Sequence, residues 1–274
     1  MKNQLKAVVL AVSLLVVGEA SAVTWNLTGA VPSTGVTISG VANTGGIDTS
    51  ASSANNGATQ TIRDATWVGQ TNMGTTASPV YYGGITNADA CSSGSYCDLN
   101  EGVNPEHAID NEQRYDMALL NFGASVVKLT SVGLSWISGD SDLTVLAFTG
   151  TGTFNVDTML KGLTYDKLTA NGWTVVANTN GTSSTYTQSF NTAGNIASSY
   201  WLIGAFNPLV ASATGTNTGG FDYVKLSTVS GTVCAAGSTA GTAGCGSTNK
   251  APEPGSLALM GVGLIGLLRL RKRR

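Results

Sequence analysis

Charge is scarce in this chain: Asp, Glu, Lys and Arg make up 11% of its residues, against about 25% in an ordinary soluble domain. Five of the 14 cations are packed at the extreme C-terminus, as Arg269, Arg271, Lys272, Arg273 and Arg274. The rest of the chain has no basic patch able to neutralise phosphates, which excludes nucleic acid as a partner. There is one histidine, His107, and no pair of cysteines in C-x-x-C spacing. That leaves the ligand set of an ordinary zinc site incomplete. Glu, Lys and Leu are sparse between the two ends, so long helices are not expected. No segment recurs at a fixed period, which excludes a solenoid or propeller. A Gly-x-Ser-x-Gly nucleophile elbow is missing as well.

What is present is clearest at the two ends. Lys2 and Lys6 form a positive start, residues 7–18 are apolar, and Ala20-Ser21-Ala22 offers the small side chains a signal peptidase needs. Cleavage is expected after Ala22, giving a signal peptide over 1–22. At the other end, Pro252-Glu253-Pro254 precedes an apolar run over 255–268 and then the basic cluster. A helix over that run would be about 21 Å long, short of a hydrocarbon core of about 30 Å. Ser256 is its one polar side chain, so it has no polar face to offer solvent as a core helix would. The cations fix its end on the cytoplasmic side, which puts the preceding chain outside the inner membrane. Gly261, Gly263 and Gly266 weaken the helix, each by up to about 1 kcal/mol.

This order of motif, apolar segment and basic tail over 251–274 resembles the PEP-CTERM sorting signal, which exosortase reads in bacteria with an outer membrane. The resemblance implies passage through the inner membrane with signal peptidase and exosortase as processing enzymes. Display at the cell surface or release into the extracellular matrix would follow, in company with extracellular polysaccharide.

Between the two signals lies an exported domain over 23–250. Its Gly, Ser, Thr and Asn content and its short apolar runs predict an all-β fold, a single antiparallel β-sandwich of jelly-roll-like form. Strands are expected at 35–41, 65–69, 119–122, 126–129, 132–136, 143–148, 172–177, 184–190, 200–206 and 221–226. One short helix would fit within 156–168. Residues 23–104 read as the softer part, rich in long loops, and 105–230 as the better-defined sheet. Cys91 and Cys97 enclose one small Gly/Ser-rich loop, Cys234 and Cys245 another. In an oxidising compartment these read as two local disulfides, although four cysteines permit three connectivities.

The polar residues of the central block carry three competing readings. His107-Ala108-Ile109-Asp110-Asn111 leads to Asp116, and Ser138-Gly139-Asp140-Ser141-Asp142 lies between two strands. In the first reading these Asp and Asn residues cap and turn the chain. In the second, Asp110, Asp116, Asp140 and Asp142 converge on a Ca²⁺ ion. In the third, His107 and an aspartate act as a catalytic base. The His-Ala-x-Asp-Asn element, the following apolar strand and the Asp-Ser-Asp turn resemble a group of exosortase-dependent surface proteins, which brings a location and no catalytic residues. The expected function is therefore that of a non-enzymatic surface or matrix protein. The alternative is a carbohydrate-binding module with Trp67, Trp136, Trp173 and Trp201 as stacking platforms. A glycan hydrolase ranks below it and would need two carboxylates roughly 5–10 Å apart in a cleft.

Overall fold

The structure, a computed structural model, describes residues 22–45, 57–91, 98–99, 101, 107–210, 220–241 and 245. Its elements in chain order are β1 (Ala22–Asn26), β2 (Thr37–Gly45), β3 (Thr61–Trp67), β4 (Ile85–Thr86), β5 (Ala90–Cys91), β6 (Asp98–Leu99) and β7 (Ile109–Asp110). There follow β8 (Asp116–Asn121), β9 (Val127–Gly139), β10 (Leu143–Phe148), helix α1 (Val156–Met159), β11 (Trp173–Thr179), β12 (Thr187–Ser189), β13 (Tyr200–Ala205) and β14 (Asp222–Val233). Two antiparallel sheets result. One runs β1-β14-β9-β12, with β7 also paired to β14; the other runs β11-β10-β13-β8-β2-β3-β4.

Alternation along β8 shows how the layers stack. Ala118 and Leu120 join a core with Leu129, Leu134, Val224, Leu226 and Trp201 between the two sheets. Met117 and Leu119, one residue out of phase, point to the opposite face and pack with Leu146, Phe148, Leu160, Tyr165 and Leu168. The centre of the larger sheet, β8, β10 and β13, is thus buried on both sides, which explains why β10 has no exposed residue. Its outer cover is the 154–172 segment. Asn155 caps α1 by accepting hydrogen bonds from the Asp157 and Thr158 N–H groups at 2.9 and 3.2 Å. Two short 3₁₀ turns, Tyr165–Lys167 and Thr169–Asn171, complete the cover. The Tyr165 hydroxyl donates to the Tyr115 carbonyl at 2.8 Å, so this large buried side chain keeps its polar end satisfied. Burial of each such aliphatic or aromatic side chain contributes about 1.5–3 kcal/mol.

One expectation needs correcting. The runs at 126–129 and 132–136 are one continuous 13-residue strand, β9, because the intervening Thr130 and Ser131 stay extended against β14, where Ser131 faces Ser230. Register shifts in that ladder absorb the mismatch of two long twisted strands. Within the loop-rich N-terminal part, β1 is an edge of the smaller sheet, and β2 and β3 lie within the larger one. Asn43 is wholly buried. Its amide donates to the Gly57 carbonyl at 2.8 Å and its oxygen accepts from the Tyr115 N–H at 2.8 Å. At Asn43 the polar sequence is a paired interior, whereas residues 70–80 are an exposed loop.

Candidate functional site

The aspartates gather where β9 ends, and the sheet register decides which of them meet. Gly139 ends β9 with φ 74°, a conformation that glycine adopts without strain, and the chain turns through Asp140, Ser141 and Asp142 into β10. Opposite, β14 starts at Asp222, paired with Gly139 and bridged to Asp140. Carboxylate oxygens of Asp140, Asp142 and Asp222 consequently lie within 4.8 Å of one another, all three residues being buried. Asp110 and Asp116 form a different group, with Glu101. The four aspartates expected to converge therefore divide into two pairs, each completed by an acid outside the expected set. Asp222 has no signal of its own in the sequence; only β-pairing places it against the 138–142 turn.

Backbone N–H groups hold the first triad. The Asp140 carboxylate accepts from the Ser141 N–H at 2.8 Å, and the Asp142 carboxylate from the Gly181 N–H at 2.7 Å. Asp222 accepts from the Asp142 N–H at 2.8 Å and from the Asn111 side-chain amide at 2.6 Å. The same Asn111 accepts from the Asp222 N–H at 2.8 Å. Asn111 follows Asp110, whose carboxylate accepts from the Glu112 N–H at 3.0 Å in an Asx turn. These bonds are what the capping-and-turning reading expects. Burial, reinforced by the negative charges of Asp142 and Asp140, pushes the Asp222 carboxyl up to about 7, although the N–H of Asp142 and the Asn111 amide oppose the shift. Chemically, such a triad shares a proton or takes a hard cation, which would draw on carboxylate oxygens at roughly 2.3–2.6 Å.

Between Asp110 and Asp116 along the chain, Arg114, wholly buried, donates through Nε and one Nη to a single Asp89 oxygen at 3.1 and 2.9 Å. Asp98 accepts a short bond from the Asn87 amide. Burial pushes Asp98 up to about 6 against the lowering effect of Asn87 and Arg114. These pairings tie the segment around β4 to β6 onto the sandwich.

His107 does not meet an aspartate. Its Nε2 lies 2.9 Å from the Nζ of Lys225, a residue 2% exposed. The Lys225 ammonium sits 3.9 Å from the Tyr82 ring centroid and 4.5 Å from that of Trp136, a cation between two aromatic faces. Burial pulls the Lys225 amine down to about 8. The expected base at His107 is thus part of a His-Lys-aromatic cluster on the smaller sheet, an arrangement with no signature along the chain.

The other singled-out residues separate cleanly. Trp173 and Trp201 are core side chains, 2% and 0% exposed, and offer no platform; their indole N–H groups donate to the Met159 and Ser198 carbonyls. Trp67 is half-buried against the inter-sheet core, and Trp136 is occupied with Lys225. Cys234 and Cys245 form a disulfide. Cys91 ends β5, paired with Leu99 of β6, but Cys97 lies outside the described residues, as do Ala20 and Pro252, Glu253 and Pro254. Ala22 is the first residue of β1, opposite Thr232, so cleavage after it would leave Val23 leading an edge strand. No helix among the described residues is long and apolar enough to cross a membrane.

The family model of the PEP-CTERM protein-sorting motif matches residues 250–274. The chain therefore carries the sorting signal of an exosortase substrate, one that directs export and membrane-anchored processing toward the cell surface. No curated protein and no solved structure matches the chain.

Proposed function

We propose that the chain is a non-enzymatic surface or extracellular-matrix protein, cut by signal peptidase after Ala22 and by exosortase near Pro252 to Pro254. In this reading the exported β-sandwich of 23–250 works beside extracellular polysaccharide. The observation that carries it is the sorting motif at 250–274 joined to an all-β domain. The chemistry of the interior supports it too. The acids are enclosed and bonded to backbone N–H groups, and the Asp140, Asp142 and Asp222 oxygens lie within 4.8 Å of each other, closer than the roughly 5–10 Å that paired glycosidase carboxylates keep across a substrate bond. The test is a comparison of surface and secreted fractions with and without the exosortase. Loss of the mature form, with precursor accumulating in the inner membrane, is the expected result. Unchanged release in the exosortase-null strain would overturn the assignment.

A further inference from the structure

At one end of the sandwich an open groove of about 590 Å³ runs between the turn after β10, the start of β13 and the loop closed by Cys234 and Cys245. No Asp, Glu, Lys, Arg or His lines it. Its apolar floor is a pair of half-buried rings, Phe154 and Tyr200, whose centroids are 4.1 Å apart and whose planes are 30° from parallel. Around them stand hydroxyls. Those of Thr151, Ser199 and Thr239 make no hydrogen bond among the described residues. The same two rings also border a second groove, of about 540 Å³, whose polar lining includes Thr37, Ser39 and Asn121 together with the mutually neutralising Lys161–Asp64 ion pair. The ring pair is therefore reached from both sides.

The groove is built by neighbouring backbone and by the disulfide. A Cβ at Gly150 would lie 2.8 Å from the Phe148 ring and 3.1 Å from the Gly172 Cα, so glycine there lets the turn close tightly over Phe148. The far wall, 238–240, lies inside the Cys234–Cys245 loop. That loop is pinned to the body by paired Ala197 and Gly241 hydrogen bonds of 3.0 and 2.9 Å and by the Cys234 N–H donating to the Val126 carbonyl at 2.8 Å.

We propose that this groove binds a segment of neutral polysaccharide. A lining without charge selects neither a phosphate nor a metal ion. A purely apolar partner would leave the hydroxyls unpaired at a cost of about 1–3 kcal/mol for each one buried. A neutral sugar matches both parts, since its C–H face covers an aromatic ring while its hydroxyls donate and accept at the rim. The volume lies within the roughly 300–1,000 Å³ typical of ligand sites. Access to the ring pair from two sides suits a chain of several sugars. This inference rests on the polysaccharide-associated reading above and specifies where the contact is made.

The test is retention of the full-length chain, purified in detergent with its disulfides intact, on immobilised dextran, laminarin and cellulose, with alginate and heparin as charged counterparts. Wild type should be retained on at least one neutral polymer. Thr239→Arg, which places bulk and charge at an exposed wall position, and Phe154→Ala should each weaken retention at least about tenfold. An unchanged melting temperature for Thr239→Arg keeps the loss separate from unfolding. Retention on charged polymers alone, retention indifferent to both substitutions, or retention on none of the polymers would each overturn the groove assignment. The exosortase comparison judges the surface-protein reading independently, so the two can fail separately.

Discussion

Asp222 shows how one side chain couples this fold to solution conditions. Its carboxyl is raised from 3.8 to about 7 by burial, so between those values the folded state binds a proton that the unfolded state has released. Stability from this group is full below pH 3.8 and is lost as pH rises through about 7. Asp222→Asn should flatten that part of the melting-temperature profile and lower overall stability by about 1–3 kcal/mol, because an amide cannot accept from both Asp142 and Asn111. What slope remains belongs in part to Asp98. A cation bound to the ionised triad would oppose the loss: calcium at 100 times its dissociation constant would add about 2.7 kcal/mol. Melts of wild type at pH 7.5 with calcium and with chelator measure it, and coincident curves assign the triad to proton sharing and turn formation. Lys225 carries the opposite sign. Its amine is lowered from 10.5 to about 8, so the folded state holds fewer protons than the unfolded between those values and stability rises with pH there. Lys225→Met should abolish that rise in alkaline melts.

At the scale of elements, the most consequential unit is the loop closed by Cys234 and Cys245, which brings Gly241 against Ala197 and so joins the end of β14 to the start of β13. Replacing both cysteines with serine should cost about 2–3 kcal/mol by releasing an 11-residue loop in the unfolded chain. Denaturant midpoints measure the loss. Peptide mapping without reductant should recover the Cys234–Cys245 crosslink together with one between Cys91 and Cys97; a Cys97 to Cys234 crosslink would contradict both. The strands themselves vary in how openly the sequence declares them. Residues 143–148 were expected as a strand and are β10, because its apolar run is bounded by Asp142 on one side and by Thr149 and Gly150 on the other. Residues 61–67 of β3 were less legible, since Arg63 and Asp64 interrupt the apolar pattern on an outlying part of the sheet.

For the whole molecule the decisive event is processing. Glu253→Ala should leave the precursor in the inner membrane, and mass spectrometry of surface material should find a C-terminus close to Pro252. Recovery of an intact Arg274 terminus from that material would refute release by cleavage. The sorting signal at 250–274 is legible in the sequence because it is linear, and so is the signal peptide expected over 1–22. A peptidase or a membrane responds to neighbouring residues, to apolar length and to terminal charge, none of which depends on distant contacts. Composition likewise determined the all-β class: abundant Gly, Ser, Thr and Asn, with few helix formers, leaves paired strands as the way to satisfy the backbone. The site was decided only by tertiary structure. Asp222 lies 80 residues from Asp142 and Lys225 lies 118 from His107. Sheet register brings each pair together, and register follows from which faces bury apolar side chains across the entire sandwich. The Phe154 and Tyr200 groove has the same origin, as its walls come from four separated segments that meet only once both sheets and the disulfide are formed.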